Sequence, residues 1–326
     1  MGMPDIEKIL IREDNYINEM HGKVLPYLKE RGEELILSRE AGKNLYCLCY
    51  TPEKPEAAVV ISHGFTETTA KFAEMAYYFL QADYAVFVYD HCGHGRSYRL
   101  TKDPDKVHVD TYKRYVNDLL YIAHTAKKAY PDLPLYLFGH SMGGGTAAAA
   151  AAYEPELFDK VVLSSPMIRP QTGNFPWPAA RIICALFVHI GKKEDYAPGQ
   201  HPYTGEYSFE SSAALSRARY DYYREIRSAD KLLYMNGATY GWLHAGIKMS
   251  VYLQKKGWKK IAAPVLLFQA GYETFVVNKQ QDIFIDKLKS KGSAELIHVP
   301  ESRHEIYRSH DKTLADYLER IFRFYG

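Results

Sequence analysis

A chain of 326 residues with 47% apolar content can bury a large core, either as one big domain carrying an insertion or as two domains. The 41 Lys and Arg against 39 Asp and Glu leave a net charge of +2, which excludes the basic footprint of a nucleic-acid binder and any strong pull toward anionic membranes. The opening MGMPDIEKILIREDNYINEM lacks the basic stub and apolar block of a secretory signal, and the longest apolar run, Ile182 to Ile190, is too short to span a bilayer. Four scattered cysteines (Cys47, Cys49, Cys92, Cys184) make no disulfide framework, so a cytoplasmic protein with reduced thiols is expected.

In chain order, residues 1–30 read as a charged lead-in, helical or irregular. Glu34 to Ser38 and Leu45 to Tyr50 read as a hairpin about Ala41-Gly42-Lys43-Asn44. Ala57 to Ser62 (AAVVIS) is a β-branched run typical of a strand buried on both faces, and it ends in His63-Gly64-Phe65. An amphipathic helix is expected from Thr69 to Ala82, then a buried strand from Tyr84 to Tyr89, running into the loop DHCGHGRS, where Asp90, Gly93, Gly95 and Ser97 shape a sharp turn. Asp110 to Ala129 has helical spacing and is stopped by PDLP; strands at Leu135 to Phe138 and Lys160 to Ser164 flank a helix. Strand and helix alternate, which predicts an α/β fold with a mostly parallel sheet and helices on both faces.

The alternation then breaks. From about Met167 to Lys260 there are five prolines, several helical stretches and the aromatic-rich ARYDYYREI, read as a helical cap inserted after the sixth strand. The expected division is 1–166 and 261–326 for the core and 167–260 for the cap. Regular order resumes with Pro264 to Ala270, a helix around Gln280 to Ser290, a strand at Ala294 to Val299 and a closing helix from Lys312 to Phe324.

Chemistry centres on Gly139-His140-Ser141-Met142-Gly143, between a strand and a helix. A strand that turns straight into a helix around a serine strains that residue and needs neighbours without side chains, which the glycines supply. Ser141 Oγ then stands at the carboxyl edge of the sheet, with the Met142 amide at a helix N-terminus to receive a developing oxyanion. A second oxyanion donor is expected from the Phe65 amide.

A serine needs a histidine base, and the base needs a carboxylate. His304 follows the last strand in a loop at the same edge as Ser141, whereas His298 lies inside that strand and His310 starts the next helix. Glu273, in the loop after PVLLFQA, is the candidate acid; Asp282, on the following helix, is expected to face solvent. In the cap, Phe175, Trp177, Leu186 and Phe187 are candidates to bind an acyl chain or touch a micelle, or else simply to pack. Neither a metal nor an organic cofactor is called for.

Together HGF, DHCGHGRS, GHSMGG, QAGYETFV and SRHE, in that order, resemble the α/β-hydrolase family of monoacylglycerol lipases and lysophospholipases, especially bacterial lysophospholipase-like members. RARYDYYREI and GATYGWLHA in the cap resemble stretches of those bacterial members. The resemblance covers essentially the whole chain. It implies Ser141 as nucleophile, Glu273 as acid, His304 as base, and a small-molecule or lipid ester as substrate, with transient contact to a membrane or micelle surface. The chain departs from the family pattern in having Glu273 where Asp is usual, Cys92 at an Arg position and Val277 where bacterial relatives often have Asp. Two other readings are an aminopeptidase of the same fold, using Glu194, Asp195 or Glu206 to hold an ammonium, and an inactive hydrolase-fold binding protein.

Overall fold

The computed structural model describes residues 3–326 apart from 174, 207 and 293. Eight strands form one sheet: β1 Gly32–Glu40, β2 Lys43–Tyr50, β3 Ala57–Ser62, β4 Tyr84–Tyr89, β5 Leu135–His140, β6 Lys160–Ser164, β7 Val265–Tyr272 and β8 Ala294–Arg303. Their spatial order is β1-β2-β4-β3-β5-β6-β7-β8. Only β2 runs antiparallel to its neighbours; from β4 to β8 every pairing is parallel. The carboxyl ends of β3, β5, β7 and β8 therefore open onto one edge.

The β-branched runs behave as two-faced core strands. Along β3, Ala58 and Val60 enter one apolar core while Ala57, Val59 and Ile61 enter the other. The first core is closed by α2 (Tyr112–Ala129), α3 (Ser141–Tyr153), α6 (Tyr240–Lys255) and α7 (Asn278–Lys289). The second is closed by α1 (Ala73–Gln81), α8 (Asp311–Tyr325) and the N-terminal segment. Helix α3 is Gly and Ala on every side and buried from Ser141 to Ala152, as a helix wedged between a sheet and two other helices requires.

The N-terminal segment is more than a charged lead-in. Tyr16, Met20, Val24 and Leu28, four residues apart, are buried on the second core, carried by short helical turns that include a π-helical one at Met20–Val24.

Of the helices between β6 and β7, α4 (Trp177–His189) packs against α6 and α5 (Arg217–Ala229) lines the cavity described below, whereas α6 sends Trp242, Ala245, Met249 and Leu253 into the first core. The α5 helix starts at Ser216, whose hydroxyl accepts the Arg219 amide. The Arg219 guanidinium is fully buried: it pairs with Glu74 of α1 at 2.9 Å and Asp311 of α8 at 3.2 Å, and donates to the carbonyls of Ile11 and Ser309. All four cysteines are free and buried. No helix among the described residues is long and apolar enough to cross a membrane.

Candidate active site

The turn from β5 into α3 gives Ser141 a φ of +53°, a left-handed conformation that costs a non-glycine residue energy and is held by its surroundings. Those surroundings are tight. A Cβ at Gly143 would sit 2.1 Å from the Ser62 carbonyl, and one at Gly139 would sit 2.7 Å from Ala147 Cβ and from the Gly143 carbonyl. The Ser141 carbonyl accepts the Met167 amide at 2.8 Å, which anchors the turn from the other side.

The loops after β7 and β8 bring two partners to this serine. His304 Nε2 lies 2.7 Å from Ser141 Oγ, and His304 Nδ1 lies 2.6 Å from Glu273 Oε2. Glu273 Oε1 accepts the amides of Phe275 at 2.7 Å and Val276 at 3.2 Å, so both carboxylate oxygens are engaged. Burial alone would raise the Glu273 pKa, but the hydrogen bond and charge of His304 together with the two amides hold it below the usual glutamate value. A proton on Nδ1 then points at a carboxylate and leaves Nε2 to accept from the serine. The ring of Phe275 covers His304 with centroids 4.9 Å apart.

The other histidines and the other carboxylate lie elsewhere. His298 is exposed on β8 and His310 pairs with Glu13 at 3.1 Å. Asp282 is half-buried rather than solvent-facing, because its Oδ1 accepts from Gln269 at 2.8 Å.

Among the described residues neither the Phe65 nor the Met142 amide donates to another group, which leaves both for a ligand. The Phe65 ring packs on Trp242 at 4.4 Å. The loop carrying Phe65 is held by a carboxylate that the sequence reading passed over. Glu67 Oε2 accepts the Gly64 amide at 2.5 Å, and Glu67 Oε1 accepts from Lys71 Nζ at 2.9 Å and from the Tyr307 hydroxyl at 2.7 Å. Lys71 also reaches Glu305 at 2.5 Å, and Glu305 pairs with Arg308 at 2.6 Å. Burial opposes the charge on Glu67 and Glu305, but Lys71 keeps both carboxyls below their usual range. Burial also pushes His140, next to the serine, down to about 4, so it is neutral at physiological pH.

Above Ser141 and His304 is a cavity of about 480 Å³. Apolar side chains on its wall include Phe65, Met167, Trp242, Leu243 and Val276. Elsewhere on the wall, Tyr223 has Lys71 over its ring at 4.9 Å and Arg308 at 5.4 Å. Residues 211–214 of the cap form part of the lining, and the Ala213 carbonyl accepts the Glu305 amide beside His304.

None of Phe175, Trp177, Leu186 and Phe187 lines this cavity. Phe187 stacks on Tyr240 at 4.2 Å, Trp177 lies under the Arg169 guanidinium at 4.5 Å, and Phe175 and Leu186 are 45% and 52% exposed. Helix α4 has two apolar stripes. Cys184, with Ile183 and Phe187, packs toward α6, and this turns Ile182, Leu186 and Ile190 outward. Among the described residues no group of His, Cys, Asp or Glu is arranged to hold a metal.

The family model described as serine aminopeptidase, S33 matches residues 53–311. Human monoglyceride lipase is 36% identical over 269 residues, covering 79% of this chain and 78% of the relative. Lysophospholipase L2 of Escherichia coli is 28% identical over 279 residues, covering 83% and 81%. The match to the rat and mouse monoglyceride lipases spans only 41% of their length. A soluble variant of the Saccharomyces cerevisiae monoglyceride lipase superposes with a TM-score of 0.72 over 90% of this chain and 94% of that one, at 19% identity, and so shares the fold. The chain belongs to the serine aminopeptidase S33 family, has the α/β-hydrolase fold, and within that family is similar to lysophospholipase L2 and monoglyceride lipase.

Proposed function

We propose that the chain cleaves carboxylic esters of monoacylglycerol or lysophospholipid type through an acyl-enzyme on Ser141. The observation that carries this reading is the unbroken hydrogen-bond chain Ser141–His304–Glu273 at the cavity wall. His304 Nε2 takes the hydroxyl proton as Ser141 Oγ bonds to the ester carbonyl carbon, and the amides of Phe65 and Met142 receive the oxyanion. The carbon–oxygen bond to the alcohol breaks, and His304 returns its proton to that alcohol. Water enters, loses a proton to His304 and bonds to the acyl carbon; the bond from that carbon to Ser141 Oγ then breaks, His304 returns the proton to Oγ, and the fatty acid leaves. Glu273 holds the Nδ1 tautomer and stabilises the imidazolium in both halves.

The exposed apolar residues Phe175, Ile182, Leu186 and Ile190 support transient contact with a micelle or membrane surface. The aminopeptidase reading finds less support. Glu194, Asp195 and Glu206 are exposed and outside the cavity, and the carboxylates on its wall, Glu67 and Glu305, are already matched by Lys71 and Arg308.

A fluorophosphonate probe should label the protein and fail to label Ser141→Ala, whose turnover should fall by about 10⁶. Hydrolysis of p-nitrophenyl esters, without hydrolysis of amino-acid p-nitroanilides, is the expected specificity. Labelling that persists in Ser141→Ala refutes the assignment.

A further inference from the structure

The cap helix α5 carries the ARYDYYREI run, and the catalytic chemistry leaves that run unexplained. Tyr220, Tyr223, Arg224 and Arg227, spread over two turns of this helix, all line the cavity above Ser141. The cations on the cavity wall differ in what holds them. Lys71 and Arg308 are matched by Glu67 and Glu305. Arg227 is buried and is held by the carbonyls of Leu233 and Met235 and by Asn236 Oδ1. Arg224 enters no ion pair or hydrogen bond among the described residues. Arg224 also lines the adjoining outer groove, so it stands where the cavity meets solvent.

We propose that Arg224 binds a phosphate on the alcohol portion of the substrate, so that the site selects lysophospholipid-type esters over neutral monoacylglycerols. This rests on the reading of Ser141 as the nucleophile. A guanidinium presents a planar fork of donors that fits two phosphate oxygens, and Arg224, exposed where the cavity opens, can turn that fork toward an anion. A glycerol hydroxyl gains little from that charge. The alcohol released by His304 would then be a glycerophosphodiester.

The test compares 1-acyl lysophosphatidylglycerol with the 1-acylglycerol of the same chain, which lacks only the phosphodiester head, and uses p-nitrophenyl butyrate to report the nucleophile. In Arg224→Gln the ratio of kcat/KM for the lysophospholipid to that for the acylglycerol should fall about 10- to 100-fold, the scale of one or two lost charge-assisted hydrogen bonds. Arg224→Lys, which keeps the charge and loses the fork, should fall between. An unchanged ratio, or a wild type that prefers the acylglycerol, overturns the proposal even while p-nitrophenyl butyrate hydrolysis upholds Ser141. If the wild type hydrolyses neither lipid, calorimetry of sn-glycerol 3-phosphate with Ser141→Ala decides: binding that Arg224→Gln abolishes supports the site, and equal or absent binding refutes it.

Discussion

Glu67 grips the Gly64 amide at 2.5 Å, one residue before the amide proposed to face the oxyanion. Its other oxygen is held by Lys71 and Tyr307, so the loop after β3 and the loop after β8 are joined by buried charges. Glu67→Gln keeps the shape but loses the charge and leaves Lys71 with Glu305 alone. Turnover should fall by up to about 10², as for a group displaced by about an ångström, and stability should fall by about 2–4 kcal/mol. KM for a short soluble ester should change little. Loss of stability with turnover intact would show that Glu67 does not position the donors.

Glu273→Gln should lower turnover by about 10⁴, because an amide favours the wrong tautomer of His304. Glu273→Asp keeps the charge and should be milder. Asp282→Asn should leave turnover near wild type, since Asp282 meets Gln269 and not the imidazole. Inactivation by Asp282→Asn with an active Glu273→Gln would reverse the assignment of the acid.

The buried charges also set a pH window. Burial alone would raise Glu67 and Glu305, yet Lys71, helped by Arg308 at Glu305, holds both below the ordinary glutamate value of 4.5. Their contribution to stability is therefore present above that value and lost as pH falls through the folded-state pKa. For Lys71, burial pulls down, but Glu305 and Glu67 raise it above the ordinary 10.5. Its contribution is present below 10.5 and lost as pH rises through its folded-state value. Buried His140, held down to about 4, adds to the acid limb below the ordinary histidine value of 6.5, and the buried thiol of Cys47, pushed above the ordinary 9.0, adds to the alkaline one. Thermal midpoints should therefore stay level from about pH 7 to about pH 9 and drop on both sides. Lys71→Met should lower the plateau by about 3–5 kcal/mol and flatten the alkaline limb. An alkaline limb as steep as in wild type would assign it to other groups.

Gly143→Ala tests the elbow by sterics alone. Its methyl would meet the Ser62 carbonyl at 2.1 Å, against backbone that cannot rotate away. Overpacking of this kind costs about 1–3 kcal/mol or more, and both soluble yield and melting temperature should fall. A variant as stable as wild type would show that the turn can shift.

Leu186→Ser separates the two roles considered for the cap. Leu186 faces outward and misses the cavity, so hydrolysis of a monomeric short ester should be unaffected while hydrolysis of micellar substrate declines. Selective loss on longer monomeric esters would instead place Leu186 in an acyl channel.

The parts of the fold visible in the sequence are those with a strong local signal. AAVVIS, YAVFVY and KVVLS are runs that only a two-faced strand accommodates, and GHSMGGG is a turn that only small residues permit. Ser141, His304 and Glu273 follow because each sits at the end of such a strand. Lys71 and Glu305 lie 234 residues apart, and no local pattern announces that they pair. Tyr16, Met20, Val24 and Leu28 were masked by charged residues between them, although their spacing of four marks a buried stripe. Helix α4 is apolar on two sides, and its composition could not say that Cys184 and Phe187 turn inward while Leu186 turns out. That choice is made by Tyr240, which lies on another helix.

Arg219 makes the two flanks of the cap unequal. To lift α5 away, the chain would have to strand a guanidinium and the Glu74 carboxylate together, at a cost of several kcal/mol. Lifting α4 separates a small apolar cluster around Cys184 and Ile247. Breathing of the molecule is therefore one-sided: amide exchange should be slow along α5 and faster along α4. The wall of the cavity that α5 supplies is therefore the anchored one.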